Sequence, residues 1–476
     1  MIKKATPAQK LRVLEMLEEG SDRDAIASAV GITPAQVSAV AAHKTMGTYS
    51  KSKVIPNESL NHPTSALPEG SLTGDDSERG EKAGSNDGSY PNSIWLGTDS
   101  RTNDSVFWNP DPEYGSANPH VLIIGESGFG KTYTTACLVS ELAQQDIPSV
   151  IFDYGQGFGS SSAPRPFRKW ANASEFELNK DGIAINPLEI FSVDLHGPAT
   201  VAQRVADTFE RVYPRLGVQQ HSVIRRAVLE LLSEGGISRY DRNTWTIKVP
   251  HFRNLERKLE QYVGDSGTSQ RRIALSAASH VSSLFIFDTF RSNGQKLSWN
   301  DFLSNRKEVW VLQLGGLESS VERVVTEFLL WNLIRFVESQ GPGPLRCLVV
   351  LDEAHKLSFS PGSPVEKLLR EGRKFGLGVI LASQQPEDFS PVAFANTATK
   401  LVFQVADERG AVAKRLHRKD KTMTPLATVE NTITKLPKGW AYVVTGNVGR
   451  VVRIASFEDR IPHWQRALQS RKALID

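Results

Sequence analysis

The residues best equipped for chemistry form one unbroken run, Gly125, Glu126, Ser127, Gly128, Phe129, Gly130, Lys131, Thr132 and Tyr133. Gly-x-x-x-x-Gly-Lys-Thr follows an apolar stretch at residues 121–124 and precedes a helical pattern. Glycines at those intervals let successive backbone N–H groups wrap phosphate oxygens, and the start of the next helix adds positive potential. Lys131 suits the terminal phosphates, and the Thr132 hydroxyl suits Mg²⁺. The spacing predicts an ATP cradle over Gly125–Tyr133, with Thr132 as a metal ligand.

A second stretch, LVVLDEAHKL, places Asp352 and Glu353 directly after an all-apolar run. Such a run reads as a central parallel strand, and ligands of open α/β sheets sit at strand C-termini. Asp352 is expected to hold Mg²⁺ through water and Glu353 to orient and polarise the attacking water. A third stretch, GLGVILASQQPEDF, ends another apolar strand in Ser383-Gln384. Gln384 at that strand end is placed to reach the γ-phosphate and the attacking water.

The letters D-E-A-H also name a class of two-domain helicases, which this chain does not fit. Too few of its 476 residues follow Asp352 to finish one domain and build a second. The Ser-Ala-Thr signature of that class is absent, which leaves His355 incidental.

The elements that must position these groups fall into three zones. Residues 1–47 read as short helices. Ser21 with Asp24, and Thr33 with Gln36 behind Pro34, read as helix N-termini, and Gly31 sits at the turn between. Ala25, Ile26, Ala29 and Val30 are expected to face one way, with Val37, Val40 and Ala41 following at helical spacing. With Leu11, Val13, Leu14 and Leu17 they make a helix-turn-helix-like module. Its second helix would present Gln36, Ser38, His43 and Lys44 to DNA, or the same shape would dock a protein. Residues 48–92 are rich in Ser, Gly, Pro and Asn and read as a flexible linker. From residue 93 strands and helices alternate as in an α/β domain, with amphipathic helices inserted around 196–300. The segment VERVVTEFLLWNLIRFV reads as buried core and not as a membrane element. Formal net charge is only +3, so any basic interface must be local. Cys137 and Cys347 stand in apolar patterns with no partner at ligand spacing, which fits buried thiols in a reducing, cytoplasmic setting. The chain's first residues lack the apolar core of a signal peptide.

Several pieces together, VIFDYGQGF, AINPLEIF, LDEAHKL, REGRKFGLGVILASQQP and GWAYVVTGNVGRVVRIASF, resemble the HerA/FtsK superfamily, nearest to its HerA-like branch. The resemblance runs over residues 94–457. It implies an α/β fold: a RecA-like P-loop core with a mostly parallel sheet, flanking helices and a helical insertion. It also implies a hexameric DNA translocase or helicase using ATP and Mg²⁺, often working with a nuclease or another effector, including in antiphage defence. One departure is visible: family members usually begin with a small β-barrel, and here a helical module and linker stand in its place. Two other readings stay open, an ATP-driven scaffold that activates an effector and a helix-turn-helix DNA-binding regulator.

A single RecA-like core leaves its site open on one side, and hydrolysis needs an added cation at the γ-phosphate. A neighbouring copy is the expected source, and head-to-tail contacts close into a ring. In VEKLLREGRKFGLG, Arg373 and then Arg370 are the candidate fingers; a solvated basic helix end is the other reading. Arg409 and Arg415 are weaker same-chain candidates. Two loops are candidate DNA contacts: one carries Arg165, Arg168 and Lys169 with Phe167 and Trp170 interleaved, and the other is HKLSFSPGSP. Asp153 either supports the nucleotide site or forms a turn.

Overall fold

The structure is a computed structural model. It describes residues 9, 12–13, 16–17, 22–34, 37–38, 40, 93–111, 117–265, 267–407, 410–418 and 424–473. The chain divides into two compact units, Met1–Lys82 and Ala83–Asp476.

In the first unit, helix α1 (Arg23–Val30) is capped by Asp22, whose carboxylate accepts from the Asp24 N–H. The cap thus lies one residue beyond the expected Ser21. Gly31 ends the helix at φ 68°, where a Cβ is disfavoured. The Val37 N–H donates to the Thr33 carbonyl, which fits Thr33 at the next helix start. Val13, Ile26, Ala27, Val37 and Val40 form a small core. Ala25 and Ala29 are exposed, contrary to the expected face, because the larger Ile26 and Val30 turn the helix so that Ala27 packs inward. Leu11, Leu14, Gln36, Ala41, His43, Lys44 and residues 48–92 lie outside the described residues.

The second unit is built on one 11-stranded sheet. Its strands are β1 (Ile94–Asp99), β2 (Ser105–Trp108), β3 (Val121–Ile124), β4 (Ser149–Asp153), β5 (Ala173–Glu177), β6 (Val309–Gln313), β7 (Cys347–Leu351), β8 (Leu377–Ser383), β9 (Thr399–Val402), β10 (Trp440–Thr445) and β11 (Val448–Ile454). Their order is β2-β1-β11-β10-β9-β3-β8-β7-β4-β6-β5. From β9 to β5 all neighbours are parallel; from β9 outward to β2 all are antiparallel. The β10–β11 hairpin turns on Gly446 and Asn447, both at positive φ, the two-residue turn that matches strand twist.

The helices that position the site are α2 (Lys131–Gln144), α3 (Arg165–Ala171), α4 (Pro198–Val212), α5 (Val218–Glu234), α6 (Asn254–Asp265), α7 (Thr268–Phe287), α8 (Ser319–Ser339), α9 (Pro364–Glu371) and α10 (Phe457–Ala473). Helices α4–α7 form the expected insertion, between β5 and β6.

Strand periodicity of two sends alternate residues to opposite cores. Leu348 and Val350 of β7 pack with α2 and α3, where Leu138, Val139, Phe167 and Trp170 lie. Val349 and Leu351 pack with the insertion and α8. Helix α8 is buried along most of its length, as its apolar richness predicts. Among the described residues no helix is long and apolar enough to cross a membrane. Cys137 and Cys347 are buried and free, and burial pushes both thiols up to about 12.

Candidate functional site: a nucleotide cradle at the strand ends

Strand β3 lies between β9 and β8, and β8 separates it from β7. Residues just beyond β3, β7 and β8 therefore emerge side by side at the C-terminal edge. They line one open cavity of about 650 Å³, walled by Ser127–Thr134, Asp352, Glu353, Ser383 and Gln384.

The glycines act in different ways. Gly128 and Gly130 sit at φ 86° and 111°, where only glycine is unstrained, so the tight turn into α2 requires glycine at both. Gly125 is needed for packing: a Cβ there would lie 2.5 Å from Cβ of Phe403. The loop is stitched to the sheet through Glu126 N–H to the Gln404 carbonyl (2.8 Å). The Lys131 ammonium donates to the Glu126 carbonyl across the loop (2.9 Å). Burial holds Lys131 below the usual lysine value, opposed by Asp352, Glu353 and Glu126.

Asp352 is pushed up to about 6, by burial first and then by the charges of Asp153 and Glu353. The Glu353 N–H donates to its Oδ1 (3.1 Å). Glu353 itself adopts φ 55°, ψ 56°, a left-handed conformation that costs a glutamate on the order of 1–2 kcal/mol. Backbone strain of this kind gathers at functional sites, where surrounding structure holds it in place. Gln384 is exposed into the cavity. Beside it, the Ser383 hydroxyl bonds to Asp388, whose carboxylate also accepts from the Gln385 N–H (3.3 Å).

Asp153 forms a turn, one of its two expected roles. Its carboxylate accepts from the N–H groups of Gly157 (3.1 Å) and Phe158 (2.8 Å) and from the Gln313 amide (2.9 Å). The loop so formed reaches the site: a Cβ on Gly157 would stand 3.0 Å from Cγ2 of Thr132, and one on Gly155 would stand 3.3 Å from Oε1 of Glu353.

The remaining wall was not foreseen. Lys438, Gly439, Ile454, Ala455 and Ser456 line the same cavity. They arrive because β10 and β11 return to the sheet next to β9, with the Gly439 N–H on the Phe129 carbonyl (3.3 Å). Lys438 is exposed and has no hydrogen-bond or ion-pair partner among the described residues. The only sequence signal for it was its place just before a hairpin strand. Tyr133 is tied to α10: its hydroxyl donates to Glu458 (3.1 Å) and accepts from the Phe457 N–H (3.2 Å).

The other candidates lie elsewhere. Arg373 is at the opposite edge of the sheet, bonded to the Ala117 carbonyl ahead of β3. The seven residues of β8, about 20 Å of strand, separate it from Gln384. Arg370 is exposed and pairs with Glu366 one turn back. Arg415 bonds the Phe389 carbonyl (3.3 Å) and lies over the Phe394 ring (4.6 Å), so it is occupied in the fold. Arg409 lies outside the described residues. On α3 the residues Arg165, Arg168 and Lys169 are exposed while Phe167 and Trp170 are buried. That alternation is the two faces of a helix and not a base-stacking platform.

The donor set fits its expected ligands. A glycine loop at a helix start with a lysine suits a triphosphate, and a hydroxyl beside a carboxylate offers the hard oxygens Mg²⁺ prefers. Fold and site together define a P-loop ATPase with a RecA-like sheet and a polar strand end between the lysine and the acidic pair. Comparison with known proteins sharpens that class. The model for the HerA helicase central domain matches residues 116–333. The DNA double-strand break repair helicase HerA of Sulfolobus acidocaldarius is 22% identical over 375 residues, 73% of this chain and 68% of that one. Its counterpart from Sulfurisphaera tokodaii is 24% identical over 379 residues, again 73% and 68%. Among solved structures, VirB4 of Thermoanaerobacter pseudethanolicus superposes with TM-score 0.61 at 17% identity, covering 77% of this chain and 97% of that one. The conjugative coupling protein TrwB gives 0.51 at 14%, covering 77% and 89%. The chain is thus similar to HerA-type P-loop ATPases over most of its length, and its donor set suits ATP and Mg²⁺.

Proposed function

We propose that the chain is an ATP-driven DNA translocase that works as a closed ring, with six copies as the expected number. The observation that carries this reading is the composition of the cavity wall. Among its described lining residues are two lysines, Lys131 and Lys438, and no arginine. With nucleotide bound, Lys131 would meet the terminal phosphates, Thr132 and Asp352 would supply oxygen ligands for the metal, and Glu353 with Gln384 would orient the attacking water. Mg²⁺, when bound, offsets the phosphate charge. The missing cation comes from an adjacent copy, through Arg373 or Arg370, and that need selects the ring.

The choice of DNA as the track is supported by the HerA relatives, which are named as DNA double-strand break repair helicases. We assign to the N-terminal module, residues 1–47, the docking of DNA or of an effector protein such as a nuclease.

Light scattering with and without ATP, followed by ATPase rates with and without duplex DNA, tests the reading. Ring-sized particles and a several-fold DNA stimulation are expected. Rings that form but ignore DNA would favour an ATP-driven scaffold. A monomer that keeps its full rate on dilution would sink the shared site altogether.

A further inference from the structure

Helix α8 carries three nearly buried carboxylates, Glu322, Glu327 and Glu338. Each meets a cation from a different element. Glu338 pairs with Lys367 of α9 (2.8 Å). Glu327 takes Arg211 of α4 through two donors (2.9 and 2.8 Å). Glu322 accepts from Lys356 (2.8 Å). The first two fasten helices to one another. The third differs, because the Lys356 ammonium also stands 3.7 Å from Oε2 of Glu353.

We propose that Lys356 is a positioning residue for hydrolysis: held by Glu322, its ammonium fixes where the Glu353 carboxylate points. The inference rests on the reading of Glu353 as the group that orients water. The left-handed backbone of Glu353 throws its side chain off the strand direction, so β7 alone does not set its aim. Among the described residues no other ion pair reaches it. The Gly155 backbone also lies near: a Cβ there would stand 3.3 Å from Oε1.

Lys356 is itself well located. A single 3₁₀ turn, Ala354–Lys356, brings it back over Glu353, with its N–H on the Glu353 carbonyl (3.0 Å). Its ammonium lies 5.1 Å from the centre of the Tyr154 ring. The Tyr154 hydroxyl bonds to Thr326 (2.7 Å), one turn along α8 from Glu322. The lysine is thus referenced twice to a buried helix. Without it, Glu353 and Glu322 would lose the one ammonium they share, and like charges in a poorly solvated site drive each other apart.

The test uses the full chain and compares kcat and KM for ATP, nucleotide affinity and melting temperature. The variants are Lys356→Met, Lys356→Arg, Glu322→Gln, the Lys356→Met/Glu322→Gln double and Glu353→Gln. Lys356→Met is expected to lower kcat roughly 10- to 100-fold, the range for a misplaced catalytic group, with KM within about twofold. Lys356→Arg should recover most of that rate. Glu322→Gln should lower kcat about threefold to tenfold, and the double variant should fall no further than Lys356→Met alone. Parent-like kcat in Lys356→Met, or losses that multiply in the double, would overturn the proposal. Should Lys356→Met not fold, an unchanged kcat in Glu322→Gln would do so. Glu353→Gln separates the two levels. If it is inactive while Lys356→Met is unaffected, only the positioning role fails; if it turns over at the parent rate, both fail.

Discussion

At the C-terminal ends of β3, β7 and β8 polar groups stand in an open cavity; at the N-terminal ends of the same strands backbone groups are tied off and the Nδ1 of His120 is buried without a partner among the described residues. The C-terminal end holds a strained glutamate, an aspartate raised to about 6, an exposed glutamine and Lys438, which has no partner among the described residues. At the other end, the Asn118 carboxamide accepts from the N–H groups of His120 (3.1 Å) and Ala398 (3.0 Å), and Arg373 caps the Ala117 carbonyl. His120 is buried and held down to about 4, by burial first and then by the Arg373 charge. Strand direction explains the asymmetry. In a parallel sheet the helix that follows a strand begins at the C-terminal edge, so N–H groups and positive potential collect there. The N-terminal edge gathers chain ends and carbonyls, which the protein satisfies locally. The lesson is that one edge is left chemically unfinished and the other is finished as scaffold.

Arg373 offers the sharpest way to break that contrast, because it is a scaffold residue in its own chain and a proposed catalyst for the next. Arg373→Ala is expected to lower kcat about 10³-fold or more, the scale of an arginine finger. Mixing it with Lys131→Ala subunits should restore part of the rate, since some interfaces then pair an intact cradle with an intact arginine. If Arg373→Ala keeps the parent rate and mixing changes nothing, the N-terminal edge is scaffold only, and Arg370 is the next residue to test. Glu353→Gln probes the other edge. It should retain nucleotide binding and lose turnover by about 10²- to 10⁴-fold, read as phosphate release against binding of a fluorescent ATP analogue.

The contrast also tracks what was legible in the sequence. The sequence grouped Ser127 to Thr132 with Asp352, Glu353 and Gln384, and the structure brings them to one cavity. Phosphate geometry fixes the loop spacing, and an apolar run ending in a polar residue marks a buried strand's exit. The insertion was readable from helical periodicity. Lys438 and Ser456 were not, because their wall depends on β10 and β11 returning beside β9 and on β1 pairing with β11, contacts between residues far apart in the chain. Asp153 stayed ambiguous because a carboxylate at a strand end can close a turn or support a nucleotide site. Phe167 and Trp170 read as an exposed aromatic pair until the helix under them showed which face was inside. Lys356 was read only as part of HKLSFSPGSP, a candidate DNA-contact loop, because its partner Glu322 lies on a distant helix.

Lys438→Ala is expected to act on nucleotide affinity more than on chemistry. A single charge-assisted contact is worth about 1.5–3 kcal/mol, so Kd for ATP should rise about tenfold or more while kcat changes less. Unchanged affinity would mean that the hairpin wall only encloses the cavity.

The smallest effect concerns stability at the scaffold edge. His120 has a folded value of about 4 against 6.5 when unfolded. Between those values the unfolded chain binds more protons, so stability is full above pH 6.5 and is lost as pH falls toward 4, on the order of 3 kcal/mol in all. His120→Gln should flatten melting temperature across that window. Arg373→Ala should act in the same direction by less than about 1 kcal/mol, because removing an exposed neighbouring cation lets His120 accept its proton at higher pH and shrinks the loss. An acid limb that survives in His120→Gln would place the proton uptake elsewhere. One that steepens in Arg373→Ala would mean that the arginine charge does not hold the His120 value down.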